Sequence, residues 1–157
     1  MKTVYRLLLS FSLSFLFCPP AHSQTASFEN LSNLQAVEKR TVLVFIHTAW
    51  CRYCTAMSHS LRNNKDISNL INRKFYLVML DGEEKNTIRF AGQNFHFKPT
   101  GQGTGIHELA EQLGSIEGKV SFPSICFLNE KNQIIYQYTG FLDSASLLKL
   151  LNLIPGR

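Results

Sequence analysis

The sequence predicts an α/β domain in which a central mixed sheet is flanked by helices. Two apolar runs, Val42–Ile46 and Phe75–Leu80, have the uninterrupted hydrophobic pattern that is typical of strands buried on both faces. Helical segments lie between these runs, which favours a right-handed crossover between parallel strands. A third run, Ser124–Leu128, is followed by a short turn and the strand Gln133–Tyr138, which predicts an antiparallel pair.

The N-terminal segment is predicted to be a cleaved secretory signal outside this domain. Lys2 and Arg6 give it positive charge, and the largely apolar run Leu7–Phe17 is too short to cross a bilayer as a helix. Small residues at Ala21 and Ser23 match the pattern that precedes a cleavage site. We therefore expect a signal over residues 1–23 and a single domain over residues 24–157.

A cleaved signal implies that the domain acts outside the cytoplasm, where disulfides persist. The expected location is a bacterial periplasm, reached across the inner membrane, because no later apolar stretch approaches membrane length. The C-terminus also lacks an endoplasmic-reticulum retention signal. Lipid attachment at Cys18 is an alternative, but the bulky Phe17 stands where such signals carry a small residue.

The charge pattern argues against nucleic acid as a partner. The chain has 16 Lys and Arg residues against 11 Asp and Glu residues, which gives a formal net charge of +5. The basic residues are scattered among acidic ones, and no basic cluster alternates with aromatic residues as a nucleic-acid interface requires.

We expect the protein to be a monomer.

The first helix is predicted to be capped by Ser27, because serine is favoured at helix N-termini. Leu31, Leu34 and Val37 recur at helical spacing and should form its buried face. The central strand Val42–Ile46 follows this helix.

A second helix is predicted from Cys51 to Arg62. Cys54, Met57 and Leu61 recur on one stripe of this helix, so they should face the core, and Met57 is expected to be a packing residue.

A short third helix should be capped by Asp66 and run to Asn72, before the strand Phe75–Leu80 begins. Another helix is expected over Ile106–Leu113, followed by a turn at Glu117–Gly118.

Residues 82–103 are predicted to form an insert with a β-hairpin and a loop. The pattern from Thr87 to Phe97 indicates a hairpin that turns at Gly92, and Lys98–Gly105 is expected to be a loop. The glycines of that loop do not indicate a phosphate site, because the lysine and the strand-to-helix context of a P-loop are missing.

The aromatic residues of the insert are expected to pack among themselves. Phe90, Phe95 and Phe97 recur along the hairpin, and we expect them to cover a small core that belongs to the insert alone.

Pro123 begins the C-terminal strand pair, where a proline belongs because it cannot donate to a strand ladder. If its bond to Phe122 is cis, the turn leaves backbone groups of Phe122 unpaired and facing outward. Asp143 should then cap the last helix, Ser144–Leu153.

Cys51 and Cys54 lie three residues apart, directly after the central strand and at the start of a helix. Cβ atoms at that spacing can close a disulfide. A helix N-terminus offers unpaired N–H groups and the positive end of the macrodipole, which favour thiolate over thiol at Cys51. Since thiolate is the nucleophile in disulfide exchange, we expect Cys51 to be reactive and accessible to partner proteins.

Two other interpretations of the cysteine pair stay open. A zinc site contains the same spacing, but the sequence has no second pair of this kind, so the other ligands would have to converge by chance. The candidates are Cys126, His47, His59, His96 and His107. A purely structural disulfide is the second alternative, although a bridge this short constrains little of the unfolded chain.

Two motifs in order give the chain a family resemblance. The first, Trp50 to Cys54, follows a strand, and the second, Phe122 to Ser124, precedes a strand pair and a final helix. With these motifs the chain resembles the thioredoxin superfamily over Phe28–Leu153. It looks most like the secreted and periplasmic thioredoxin-like reductases, above all the C-terminal thiol domain of the transmembrane disulfide reductases.

The resemblance implies a thioredoxin fold and a role for each motif residue, without a cofactor or a metal. Cys51 would be the attacking thiol and Cys54 the resolving thiol. Trp50 would pack beside the disulfide and present a flat surface to the partner. Pro123 would be a cis-proline facing the pair, and Phe122 would offer its backbone to a substrate strand.

Arg52 and Tyr53 lie between the cysteines, where the resemblance implies that side chains support substrate binding and adjust the redox potential. Arg52 should stabilise a nearby thiolate, and the alternative is a solvated side chain without such a role. The chain also departs from the family pattern. Phe45 stands where cytosolic thioredoxins have a buried acid, so water, His47 or an acid from elsewhere must accept the proton of the resolving thiol. His59 stands where thioredoxin has a proline, which predicts a less kinked helix.

The sequence therefore predicts an extracytoplasmic thiol:disulfide oxidoreductase that reduces protein disulfides and is recharged by a membrane-bound electron donor. A disulfide oxidase or isomerase that uses the same pair is one alternative. A non-enzymatic module for metal delivery or chaperone work is another. Cys126 is expected to be a buried core thiol, and His59, His96 and His107 are expected at the surface or in packing.

Overall fold

The computed structural model describes residues 23–156, so the predicted signal lies outside it apart from Ser23. Within these residues a 3-10 helix, Phe28–Asn30, precedes the α-helices α1 Leu31–Val37, α2 Arg52–Asn63, α3 Lys65–Lys74, α4 Glu108–Gly114 and α5 Ser144–Leu153. The strands are β1 Thr25–Ala26, β2 Thr41–His47, β3 Phe75–Asp81, β4 Ile88–Phe90, β5 Gln93–Phe95, β6 Phe97–Gly101, β7 Thr104–His107, β8 Ser115–Ile116, β9 Lys119–Val120, β10 Ser124–Leu128 and β11 Ile134–Thr139.

The central sheet has the strand order β1-β3-β2-β10-β11. Strand β2 pairs in parallel with β3 and antiparallel with β10, and β10 pairs antiparallel with β11. The predicted central mixed sheet flanked by helices is therefore confirmed. Its middle strand, β2, is also the strand that leads into the cysteine pair.

The two faces of β2 contribute to two core clusters, because successive side chains of a strand point to opposite faces. Val42, Val44 and Ile46 pack with α4 and the first hairpin of the insert. Leu43 and Phe45 pack on the other face with α2, α3 and α5. Helix α2 therefore lies against the sheet with its N-terminus at the end of β2.

Helix caps fix the ends of these elements. Ser27 caps the 3-10 helix, and Asp143 accepts a hydrogen bond from the N–H of Ser146 at the start of α5, 2.7 Å away. The cap of α3 is Asn64, whose side chain accepts from the N–H groups of Asp66 and Ile67. The prediction that Asp66 caps this helix is therefore wrong, because Asp66 already lies in the first turn, where its charge complements the helix dipole.

The apolar face of α1 is shorter than predicted. Leu31 is buried and Leu34 is half-buried, but Val37 is 90 % exposed. Helix α1 ends at Val37, and the chain turns there toward β2, so this side chain lies beyond the contact with the core.

The insert holds two hairpins rather than one. Strands β4 and β5 pair across Ala91 and Gly92, which both have positive φ, so the predicted turn at Gly92 is confirmed. The segment Lys98–Gly105, predicted to be a loop, instead forms most of a second hairpin between β6 and β7. Its proline and glycines have low strand propensity, and the exposed position of this hairpin tolerates them.

The phenylalanines of the first hairpin join the core of the domain. Phe90 and Phe95 are buried in the cluster that includes Phe28, and the rings of Phe28 and Phe90 meet edge-on with centroids 5.0 Å apart. The expectation of a separate core for the insert is wrong, because the hairpin packs against the 3-10 helix. Phe97 is half-buried, and the Nζ of Lys85 lies 3.2 Å from its ring centroid.

The segment after the insert is shifted slightly from its prediction. Ile106 belongs to β7, so α4 begins at Glu108, and the predicted turn at Glu117–Gly118 joins β8 to β9. His107 is buried and caps α4, with its Nδ1 accepting from the N–H of Leu109 at 3.2 Å. None of the helices in residues 23–156 combines the length and apolar character needed to cross a bilayer.

Candidate active site

The disulfide between Cys51 and Cys54 lies at the N-terminus of α2, and its Cα atoms are 5.1 Å apart. Cys51 is the N-cap of this helix, and its Sγ accepts a hydrogen bond from the N–H of Cys54 at 3.1 Å. The N–H groups and dipole of a helix N-terminus stabilise negative charge on a sulfur in this position. The geometry therefore suits a cysteine that acts as a thiolate once the bridge is reduced.

The oxidised pair is more covered than predicted. Cys51 is 6 % exposed and Cys54 is 2 % exposed, so the expectation of an openly accessible Cys51 is wrong for the disulfide form. The capping geometry explains this, because it turns the sulfur of Cys51 toward the helix and against Cys54. Cys51 is nevertheless the more exposed member of the pair.

Trp50 forms an exposed aromatic surface beside the disulfide. Its side chain is 67 % exposed, and its ring meets that of Phe122 edge-on, with centroids 6.2 Å apart. The indole Nε1 donates a hydrogen bond to Oε2 of Glu83 at 3.2 Å. Two partners thus fix Trp50 while its outer face stays free.

Phe122 and Pro123 lie directly before β10, and the peptide bond between them is cis. The C=O of Pro123 accepts from the N–H of Gly140, 2.8 Å away, which ties this turn to the end of β11. No backbone hydrogen bond within residues 23–156 involves Phe122. Its N–H and C=O are therefore free to pair with an added strand.

The residues between the cysteines both point to solvent. Tyr53 is 65 % exposed, and its ring packs against that of Phe141 with centroids 5.5 Å apart, while Phe141 itself is 44 % exposed. Arg52 is exposed in the first turn of α2. Trp50, Tyr53 and Phe141 therefore form an aromatic rim around the covered disulfide.

Three site residues were not predicted from the sequence, namely Gly82, Glu83 and Phe141. A Cβ at Gly82 would lie 2.5 Å from the ring of Phe122, so only glycine fits behind that ring. Phe141 follows Gly140, which offers a local signal of a turn after β11. Glu83 carried no signal, because its contact with Trp50 depends on how the insert leaves the sheet.

His47 lies at the end of β2, where its ring stacks on that of Phe45 with centroids 5.7 Å apart. It lines a cavity of about 590 Å³ together with Cys54. Burial lowers the pKa of His47, and the charge of Arg62 acts in the same direction, whereas Asp81 acts in the opposite one.

The other singled-out residues have packing or surface positions. Cys126 is fully buried in β10, as predicted, and burial raises its pKa to about 12. His59 and His96 are exposed, and His107 is a buried cap. No group of three or more His, Cys, Asp or Glu side chains in residues 23–156 is arranged to hold a metal ion. Helix α2 continues unbroken through His59.

Comparisons with known proteins place this geometry in a family. The family model of the thioredoxin-like domain matches residues 28–155 of this chain. A thioredoxin-fold protein from Helicobacter pylori is 18% identical with a TM-score of 0.57, over 88% of this chain and 76% of that chain. The oxidoreductase DsbH is 17% identical with a TM-score of 0.56, over 85% of this chain and 87% of that chain.

A putative disulphide isomerase from Bacteroides thetaiotaomicron is 23% identical with a TM-score of 0.56, over 83% of this chain and 89% of that chain. These structures show that the chain has a thioredoxin fold. No curated protein matches the chain significantly.

Proposed function

Because the chain belongs to the family of thioredoxin-like domains, we propose that it is an extracytoplasmic thiol:disulfide oxidoreductase that reduces protein disulfides. The observation that carries this proposal is the Cys51–Cys54 disulfide at the N-terminus of α2, surrounded by exposed aromatic side chains. The family match and this pair together support disulfide exchange as the chemistry.

Exchange would proceed in two displacements. The thiolate of Cys51 attacks one sulfur of a substrate disulfide, and the other substrate sulfur leaves with the electron pair and takes up a proton. Cys54 then attacks Cys51, which breaks the mixed disulfide and releases the second substrate sulfur. Two electrons pass to the substrate, and Cys51–Cys54 is left oxidised until a membrane-bound donor returns two electrons.

Substrate recognition would combine the aromatic rim with the free backbone of Phe122. An extended segment pairs with the N–H and C=O of Phe122, and its side chains pack on Trp50 and Tyr53. This arrangement places a substrate disulfide at the more exposed cysteine of the pair, Cys51, and requires little sequence specificity.

The test is turnover of insulin disulfides with dithiothreitol as the electron source. The native chain should accelerate reduction, and Cys51→Ser should abolish the acceleration. Cys126→Ala is the matched control, since it removes a thiol that is buried away from the exchange, and it should retain activity. Equal turnover by the native chain and Cys51→Ser would overturn the enzymatic proposal.

A disulfide oxidase or isomerase is the second candidate, favoured by the exposed cation Arg52 next to Cys51. A cation there stabilises the reduced thiolate and makes the pair more oxidising. The equilibrium constant with glutathione separates the two functions. A potential near that of thioredoxin, about −270 mV, supports a reductase, whereas one near about −120 mV supports an oxidase.

The proposed periplasmic location rests on the N-terminal sequence. Ser23, the last residue of the predicted signal, is buried and donates a hydrogen bond from its Oγ to the C=O of Leu61 at 2.8 Å. Cleavage directly after Ser23 would remove this contact, so the exact cleavage site needs to be measured. Cell fractionation and N-terminal sequencing of the secreted protein test the location together with the cleavage site. A mature chain that begins near Gln24 is expected, and an uncleaved protein in the cytoplasm would contradict it.

A further inference from the structure

His47 lies on the same face of the sheet as the cysteine helix. Side chains two residues apart on a strand share a face, so His47 follows Leu43 and Phe45 on the side of β2 that α2 covers. The stacking of the His47 ring on Phe45 shows this shared orientation directly. The imidazole thus extends the row of core side chains to the edge of the sheet at which α2 begins.

A cavity of about 590 Å³ joins His47 to the resolving cysteine, because both residues line it. Thr48 lines the same cavity, and its buried Oγ1 has no hydrogen-bond partner within residues 23–156. This cavity is large enough to hold several water molecules. Water therefore has a place between Cys54 and the imidazole.

Burial is the main influence that favours the neutral imidazole of His47. Burial lowers its pKa, Arg62 on α2 acts in the same direction, and Asp81 on the neighbouring strand opposes them. Two further ionisable side chains line this cavity, those of His59 and Arg62, and both are exposed on α2. A neutral imidazole is a proton acceptor, and Asp81 is positioned to stabilise its protonated form.

We propose that His47 accepts the thiol proton of Cys54, through water in this cavity, when Cys54 resolves the mixed disulfide. The inference rests on the proposed function and deepens it. The S–H bond of Cys54 breaks, and its proton passes to the imidazole. The sulfur then forms the Cys51–Cys54 bond, and the substrate sulfur leaves Cys51 with the bonding electrons. The imidazolium returns the proton to that thiolate or to solvent.

Reaction of the reduced protein with Ellman's reagent separates the two displacements. Attack by Cys51 releases one thionitrobenzoate at a rate that depends on reagent concentration. Attack by Cys54 on the resulting mixed disulfide releases the second at a rate that does not. The second phase therefore measures resolution alone, and a missing first phase in the native chain would count against the proposed function instead.

We expect His47→Gln to slow the second phase at least about tenfold at pH 7 while the first phase stays within about twofold. If the proton of Cys54 passes to His47, the rate of the second phase in the native chain should be nearly constant from about pH 6.5 to pH 8. In His47→Gln the rate should instead follow the thiolate fraction and rise about tenfold per pH unit. His96→Gln, which changes an exposed histidine of the insert, is the matched control and should keep the native profile.

Two results would overturn the proposal as a whole, and a third would overturn the assignment to His47. One is a native second phase that already rises about tenfold per pH unit, a measurement that needs no variant and so does not depend on folding. The other is an unchanged second phase in both His47→Gln and His47→Asn, with folding checked by circular dichroism. If His59→Gln alone removed the flat region, the assignment to His47 would be wrong.

Discussion

The indole N–H of Trp50 donates a hydrogen bond to the carboxylate of Glu83, and this bond joins the residue before Cys51 to the first residues of the insert. The neighbouring Gly82 lies against the ring of Phe122, which in turn packs edge-on against Trp50. The segment after β3 therefore holds the aromatic side of the candidate active site in place.

Loss of the Glu83 carboxylate should loosen Trp50 without unfolding the protein. In Glu83→Ala we expect faster quenching of Trp50 fluorescence by acrylamide and a KM for protein disulfides raised about two- to fivefold. The free energy of unfolding should fall by less than about 1 kcal/mol, because the hydrogen bond is exposed. Trp50 is the only tryptophan, so the fluorescence reports on it alone.

Glu83→Gln is the matched control for this prediction. Its side-chain carbonyl still accepts from the indole, so quenching should stay close to that of the native chain. Identical quenching in the Ala and Gln variants would show that the bond does not order Trp50 in solution.

A methyl group at Gly82 should displace the ring of Phe122. The added Cβ would lie 2.5 Å and 2.6 Å from two ring carbons, which is far too close for packing. We expect Gly82→Ala to lower the free energy of unfolding by about 1–3 kcal/mol and to alter Trp50 fluorescence. Chemical denaturation measures the first effect.

Gly101→Ala serves as the comparison. Its new Cβ would meet only the Oγ1 of Thr104, an exposed side chain that can rotate away. This variant should be nearly as stable as the native chain. Equal stability of the Gly82 and Gly101 variants would contradict the close packing behind Phe122.

Stability should fall as the pH drops below about 6.5, because burial lowers the pKa of both His47 and His107. In the unfolded chain these side chains take up protons at their ordinary pKa, whereas the folded chain resists protonation until the pH is lower. Each such proton contributes a slope of at most about 1.4 kcal/mol per pH unit. Urea unfolding between pH 7 and about pH 5 measures this slope.

The carboxyl groups with shifted pKa values affect stability at a lower pH than the two histidines do. Glu84 and Asp143 have pKa values lowered by hydrogen bonds from backbone N–H groups, so their contribution to stability is lost only as the pH falls through those lowered values.

His107→Asn tests the contribution of His107 to the pH dependence of stability, since asparagine can cap α4 but cannot titrate. Its unfolding free energy should depend less on pH between 7 and 5, and an unchanged slope would exclude His107 as a source.

Cys126 should resist alkylation in the folded protein. Its burial in β10 and a pKa raised to about 12 leave almost no thiolate at neutral pH. After reduction, iodoacetamide should label Cys51 within the time that leaves Cys126 unlabelled, and Cys126 should react only in denaturant. Peptide mass spectrometry gives the modified fraction, and rapid labelling of Cys126 would disprove its place in the core.

The sheet and the cysteine helix were predictable because their signals are local and periodic. The stripe of Cys54, Met57 and Leu61 matches the buried residues of α2, since the period of the helix places them on one face. The buried strand Phe75–Leu80 was equally clear, because burial on both faces leaves an unbroken apolar run. The cap at Asp143 followed from side-chain chemistry alone.

Contacts that join distant segments were not predictable. The pairing of Trp50 with Glu83 depends on the path of the insert, and the hairpin within Lys98–Gly105 contradicts the strand propensities of its own residues. The covered state of Cys51 also escaped prediction, because it results from the capping bond between the Cys51 sulfur and the next turn of the helix.

The most direct test of the central claim is covalent trapping of substrates by Cys54→Ala in the native host compartment. This variant keeps the attacking sulfur but lacks the resolving one, so mixed disulfides should accumulate. Mass spectrometry should find them joined to Cys51, and Cys51→Ser in the same background should remove them. Adducts joined to Cys126, or none above those formed by the Cys51→Ser control, would contradict a role for Cys51 as the nucleophile.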